Sequence, residues 1–201
     1  MSAGAATAQM PAGLADPVHD AQRIFRRALS AFAHPGRIER LSTDLAPPAP
    51  LFATTAGLCL ALADQDTPIW LDAACDTASV RDYLRFHCGA PITADAANSR
   101  FALVSEAMAM PALADLALGE PAYPERSTTL IMQVAGFSAN GPYRLSGPGI
   151  DGSARLGIAG APAHMVAFWA ENNALFPCGI DLVLASPDAI VALPRTTKME
   201  S

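Results

Sequence analysis

Arg195 stands directly behind Pro194 and ahead of two hydroxyls, Thr196 and Thr197. A guanidinium on a proline-fixed turn offers a planar fork of donors with hydroxyls beside it. That set suits a phosphate, a phosphonate or a carboxylate on a partner chain. It would serve equally in an internal salt bridge to Asp151 or Asp181, tying a terminal hairpin to the turn at Gly147-Pro148-Gly149-Ile150. Arg37, just after Pro35-Gly36, and Arg126, just after Glu125, are further candidates for contact with an anion. Asp64 with Asp66, and Glu125 with Asp151 or Asp181, could act as acid and base, although turns and helix caps recruit the same residue types.

Several reaction types lack the residues they need. Lys198, three residues from the chain end, is the only lysine. A Schiff-base cofactor would need a lysine held in a cleft, and a phosphate-binding loop needs one after its glycines. No G-x-S-x-G string surrounds Ser127 or Ser146, so a serine nucleophile has no visible support. His87 and Cys88 are neighbours in sequence and on a helix would point about 100° apart, so they are not a ready base and nucleophile. Cys59, Cys75, Cys88 and Cys178, with His19, His34, His87 and His164, show no metal-ligand spacing. The expectation is reduced core thiols, no metal and no cofactor.

Turns position the charged candidates. Gly147-Pro148-Gly149-Ile150-Asp151, Phe176-Pro177-Cys178-Gly179-Ile180-Asp181 and Leu193-Pro194-Arg195-Thr196-Thr197 each join glycine or proline to a charge. Upstream, Asp16-Pro17 caps a helix whose apolar positions run from Ala21 to Phe32 and which His34-Pro35-Gly36 stops. Strands are expected at residues 37–41, 68–71, 101–105 and 127–134, with another short segment ending near Leu145. Helices are expected at residues 53–63, 79–88, 111–118 and 163–174, and a terminal hairpin from 179–185 and 189–193 across Ser186-Pro187-Asp188. Alternation early and a hairpin late predict an α/β fold, a single-domain three-layer sandwich with a mixed sheet. Residues 17–197 would form that domain, with flexible segments at 1–16 and 198–201.

The same turns carry a family resemblance. Gly147-Pro148-Gly149-Ile150, then Asn173 to Asp181 as N-x-x-F-P-x-G-I-D, then Leu193 to Thr197 as LPRTT, resemble in that order the PhnH family of the bacterial carbon-phosphorus lyase core complex. Phe25-Arg26 with Pro35-Gly36-Arg37, Phe86-His87-Cys88-Gly89, and Gly119 with Pro124-Glu125-Arg126-Ser127 agree with it. The likeness runs from about Pro17 to Thr197 and departs at Cys178, where a basic residue is common. It implies a fold similar to the large domain of pyridoxal-phosphate-dependent transferases, without the cofactor lysine. It also implies a subunit acting with G, I, J and L type partners to exchange the adenine of ATP for an alkylphosphonate, and a homodimer in isolation.

Composition bounds the partners. Net charge is −6, with the basic residues scattered, so nucleic acid is not an expected partner. Hydrophobic residues make up 51% and charged ones 16%, apolar enough to suggest burial against another chain. Residues 1–16 contain no Lys or Arg and no apolar run, unlike a secretory or organellar leader, and nothing reads as a membrane span. A cytoplasmic chain is expected. Two functions remain: a non-autonomous subunit of a phosphonate-using assembly, or a free-standing anion enzyme or binding protein using the Gly/Pro turns as its site.

Overall fold

The computed structural model describes residues 10–201. Helix α1 (Pro17–Ala33) starts where Asp16 accepts the amides of Val18 and His19 on its carboxylate, and stops at His34-Pro35-Gly36. The two-residue strand β1 (Glu39–Arg40) follows, then α2 (Ala53–Leu62), β2 (Ile69–Leu71), α3 (Ala78–Cys88), β3 (Ile92–Thr93), β4 (Phe101–Val104) and β5 (Thr129–Gln133). The chain then crosses into β6 (Gly136–Ser146) and β7 (Ala154–Ala159), and continues through α4 (Met165–Ala174), β8 (Asp181–Ala185), β9 (Ala189–Leu193) and β10 (Lys198–Glu200).

A seven-stranded sheet has the order β1-β9-β8-β5-β4-β2-β3. Strands β3, β2, β4, β5 and β8 run parallel, β9 pairs antiparallel with β8 and β1 antiparallel with β9, so the sheet is mixed as expected. Its strands alternate with period two between two cores. Leu103, Ile131, Val183 and Ile190 pack beneath α1, α2 and α3. Ala102, Leu130, Met132, Leu182 and Val191 pack with α4 and the second sheet. The third layer therefore contains α4 and a three-stranded sheet of order β10-β6-β7, of which the sequence suggested only the segment ending near Leu145.

Three expectations are corrected. Residues 111–118 form only a 3-10 turn at Leu113–Asp115, because the carbonyls of Ala117 and Leu118 accept from the amides of Thr128 and Gly179 at 2.8 Å instead of continuing a helix. The short segment expected to end near Leu145 is one long strand, Gly136–Ser146, with a register shift between Ser138 and Tyr143, where Gly141 and Gly157 touch backbone to backbone. Residues 198–201, expected to be flexible, include β10, which pairs with Arg144–Ser146 and buries Met199. Of the segment 1–16, residues 1–9 lie outside the described residues. Pro11 and Ala12 pack on α3, where Pro11 O accepts from His87 Nε2 at 2.8 Å.

Candidate functional site

Five of the strings singled out in the sequence meet at one corner of the fold. Gly149, at φ 84°, lies against the end of α1, where a Cβ would stand 2.6 Å from Ala33 O, so only glycine fits. Gly147 lies as close to Thr196, with 2.9 Å between a Cβ and its carbonyl oxygen. Asn173, in the last turn of α4, donates through Nδ2 to the carbonyls of Arg195 at 2.7 Å and Thr197 at 2.9 Å, and Trp169 Nε1 donates to Thr197 O at 2.7 Å. Asn172, fully buried, pairs with the backbone of Ile180 in both directions.

Arg195 is the centre of this corner, and its guanidinium is fully engaged. Nη2 donates to Asp181 Oδ2 and to Ser127 Oγ, both at 2.6 Å, and Nε donates to Asp181 Oδ1 at 3.2 Å. Nη1 donates to the carbonyls of Pro124 at 3.0 Å and Pro177 at 3.4 Å, and the Arg195 amide returns to Asp181 Oδ1 at 2.8 Å. The side chains of Arg195 and Asp181 are only 12% and 25% exposed. All five N–H donors of a guanidinium are thereby used inside the protein. Of the two internal partners expected from the sequence the structure selects Asp181, and the bond reaches the Pro124–Ser127 and Phe176–Pro177 turns, not the Gly147 turn.

The remaining candidates are dispersed. Arg37 approaches Glu39 at 3.3 Å, and buried Glu39 also accepts from Ser30 at 2.7 Å and Arg27 at 3.3 Å. Asp151 is exposed at the outer end of its turn and has no ion pair or hydrogen bond through its carboxylate among the described residues. Arg126 lies over the ring of Tyr123, 4.0 Å from its centroid, and lines a polar cavity on the neighbouring surface. Thr196 joins Pro148, Asn173, Phe176, Arg195 and Lys198 around a shallow groove of about 280 Å³ beside the knot of turns. Sequence reading missed Arg100, which shares the cavity of Arg126 and stands in no string that marks it.

Ligands of open α/β sheets sit beyond the carboxyl ends of the parallel strands. Here those ends are filled by side chains bonded to main chain. Beyond β2, Asp72 accepts the amides of Cys75 at 2.8 Å, Ser105 at 2.7 Å and Glu106 at 3.2 Å. At the end of β5, Gln133 accepts from the Phe52 amide at 2.6 Å and donates to Pro50 O at 2.9 Å, and Thr54 closes β8 through Ser186 O at 2.6 Å. Lys198 stands on the other sheet, so no lysine reaches this edge. Burial pushes the Cys75 thiol up to about 12 and raises those of Cys59 and Cys88 as well, leaving three thiols poorly suited to nucleophilic work.

Residues 12–200 match the family model of the bacterial phosphonate metabolism protein PhnH. The chain belongs to the PhnH family. It is 44% identical over 186 residues to the alpha-D-ribose 1-methylphosphonate 5-triphosphate synthase subunit PhnH of Rhizobium meliloti (strain 1021), covering 92% of this chain and 93% of that relative. It is 30% identical over 181 residues to the putative C-P lyase subunit protein HtxG of Stutzerimonas stutzeri, covering 88% and 84%. Four of the strings that carried the resemblance, Gly147–Ile150, Asn173–Asp181, Leu193–Thr197 and Pro124–Ser127, meet in this fold at the knot around Arg195. At Cys178, the departure noted above, the adjoining Pro177 carbonyl already receives a guanidinium from Arg195.

Proposed function

We infer that this chain is a non-autonomous subunit of a carbon-phosphorus lyase system, needed for transfer of an alkylphosphonate such as methylphosphonate to the ribose C1 of ATP with release of adenine. The product would be alpha-D-ribose 1-methylphosphonate 5-triphosphate, as the name of the Rhizobium relative has it. Its partners in this reading are the G, I, J and L type subunits, with a homodimer in isolation and a cytoplasmic site of action. Among the described residues no helix is long and apolar enough to cross a membrane. A sheet akin to the large domain of pyridoxal-phosphate-dependent transferases, retained as scaffold without its cofactor, belongs to the same reading.

The observation that carries it is the outer face of α1. Val18, Phe25, Leu29 and Ala33 are all exposed, and at 100° per residue they fall within one stripe about 80° wide, with Gln22 the single polar residue among them. The inward face, Ile24, Ala28 and Ala31, already fills the core. Val18 is 74% and Leu29 57% exposed, and Phe86 on α3, in the same layer, is 71% exposed. A second, largely apolar stripe on a helix that has already buried its first is what a permanently assembled subunit covers with a neighbour.

Reconstitution tests this reading. The chain alone should not convert ATP and methylphosphonate, the complete assembly should, and leaving this chain out should abolish turnover. Full activity without it would refute the subunit function.

A further inference from the structure

Most arginines of this chain, Arg195 above all, are paired with carboxylates. Arg100 and Arg126 have no such partner among the described residues, yet they line the same polar cavity of about 370 Å³ beside the amino ends of β2 and β4. We propose that these two guanidiniums form a binding site for a phospho-oxyanion, the phosphate or phosphonate group of a small molecule. The proposal rests on the subunit reading above and adds a ligand site to it.

The cavity is held from several sides. The Arg100 amide donates to Pro68 O and its carbonyl accepts from Thr129 N, both at 2.8 Å, which fixes its backbone between the starts of β2 and β5. Buried Thr128 donates to Ser99 O at 2.9 Å and accepts the Ala117 amide at 3.2 Å, locking two walls together. Arg126 ends the 3-10 turn Pro124–Arg126, whose flanks Pro124 and Ser127 are both held by Arg195. Arg195 is therefore a positioning residue for Arg126. The Tyr123 ring lies against the Arg126 guanidinium, a cation–π contact that leaves the N–H edges of the fork available.

The remaining polar lining narrows the ligand class. The Asn98 amide gives one of its two N–H groups to Asp95 at 2.8 Å, and the Ser99 hydroxyl is committed to Ala96 O at 2.8 Å. Asp66 also lines the cavity but pairs with neither arginine, and with it ionised the lining carries one net positive charge. The uncommitted donors are thus guanidinium N–H groups on two separate forks, with the second N–H of Asn98 beside them. A tetrahedral dianion with three terminal oxygens can engage both forks, whereas a planar carboxylate saturates one. The subunit reading places two such groups in the reaction, a phosphonate and the triphosphate of a nucleotide.

The test is calorimetric titration of the full chain at low salt with tripolyphosphate and, separately, with methylphosphonate. Wild-type protein should bind at least one of them, and which one identifies the source of the oxyanion. Arg100→Gln and Arg126→Gln should each weaken binding at least tenfold, the double variant should show none, and melting temperatures should stay within about 2 °C of wild type. Binding unchanged in the double variant, or no binding by wild type at millimolar ligand, would overturn the site. Co-purification run in parallel separates the two claims: wild type failing to join the assembly sinks the subunit reading, whereas an assembled chain whose arginine variants bind anions normally sinks the site alone.

Discussion

The corner around Arg195 and the outer layer of α1 and α3 use their side chains in opposite ways. At the corner every donor of the guanidinium, both sides of the Asn172 amide and the Asn173 amide nitrogen are bonded within the chain. On the outer layer, large apolar side chains face solvent with none of the described residues over them. The contrast shows that Gly/Pro turns can mark where a fold is braced, whereas Phe25 and Phe86, which belong to two other strings of the resemblance, stand exposed on the outer layer. Mutations should separate the two regions cleanly, because damage at the corner falls on folding and damage on the outer layer falls on association.

The largest effect is expected at the brace. Arg195→Ala leaves Asp181, three-quarters buried, without its partner and should cost about 3 kcal/mol, a fall in melting temperature of about 6–12 °C. Arg195→Lys should recover less than half, since an ammonium cannot span Asp181, Ser127 and Pro124 together. A melting temperature unchanged by either variant would dissolve the distinction between the regions. Gly149→Ala comes next, at about 2 kcal/mol, because it forces a Cβ into a positive-φ turn 2.6 Å from Ala33 O. Chemical denaturation would measure it, and a neutral result would mean that the turn is free to move off α1.

The smallest effect concerns pH. The Asp76 carboxyl is held below its ordinary value by its hydrogen bond to Arg81 at the start of α3. A depressed acid gives stability that is present above its unfolded pKa and lost as pH falls through the folded one. Any contribution of this exposed pair should therefore fade only below about pH 4, and Asp76→Asn should remove that acid-limb dependence while barely changing stability at pH 7. An acid limb of the same shape in the variant would assign the dependence to other carboxylates.

Much of the main sheet was legible in the sequence. Apolar runs bounded by turn residues marked β5, β8 and β9, and Asp16-Pro17 with His34-Pro35-Gly36 bounded α1. The second sheet was not legible, because β6 depends on a bulge where Gly141 meets Gly157 and β10 on pairing with a strand far earlier in the chain, and neither leaves a local pattern. Site residues divide the same way. Arg195 and Asp181 announced themselves by their turns, but whether a guanidinium is engaged or available is decided by neighbours far off in sequence: Pro124, Ser127 and Pro177 for Arg195. Arg100 had no sequence signal, since its partner in the cavity, Arg126, comes from another turn.

A chain that works by docking must do so through a surface its own fold leaves uncovered; among the described residues the outer stripe of α1 is such a surface, and the proposed function takes it as the docking face. A Phe25→Asp/Leu29→Asp double variant probes it, by co-purification with the other subunits and a thermal melt of the isolated chain. Both side chains lie outside the core, so an unchanged melt, or a slightly raised one, is expected together with loss of the assembled complex. A variant that melts normally and still assembles in full would contradict docking through α1.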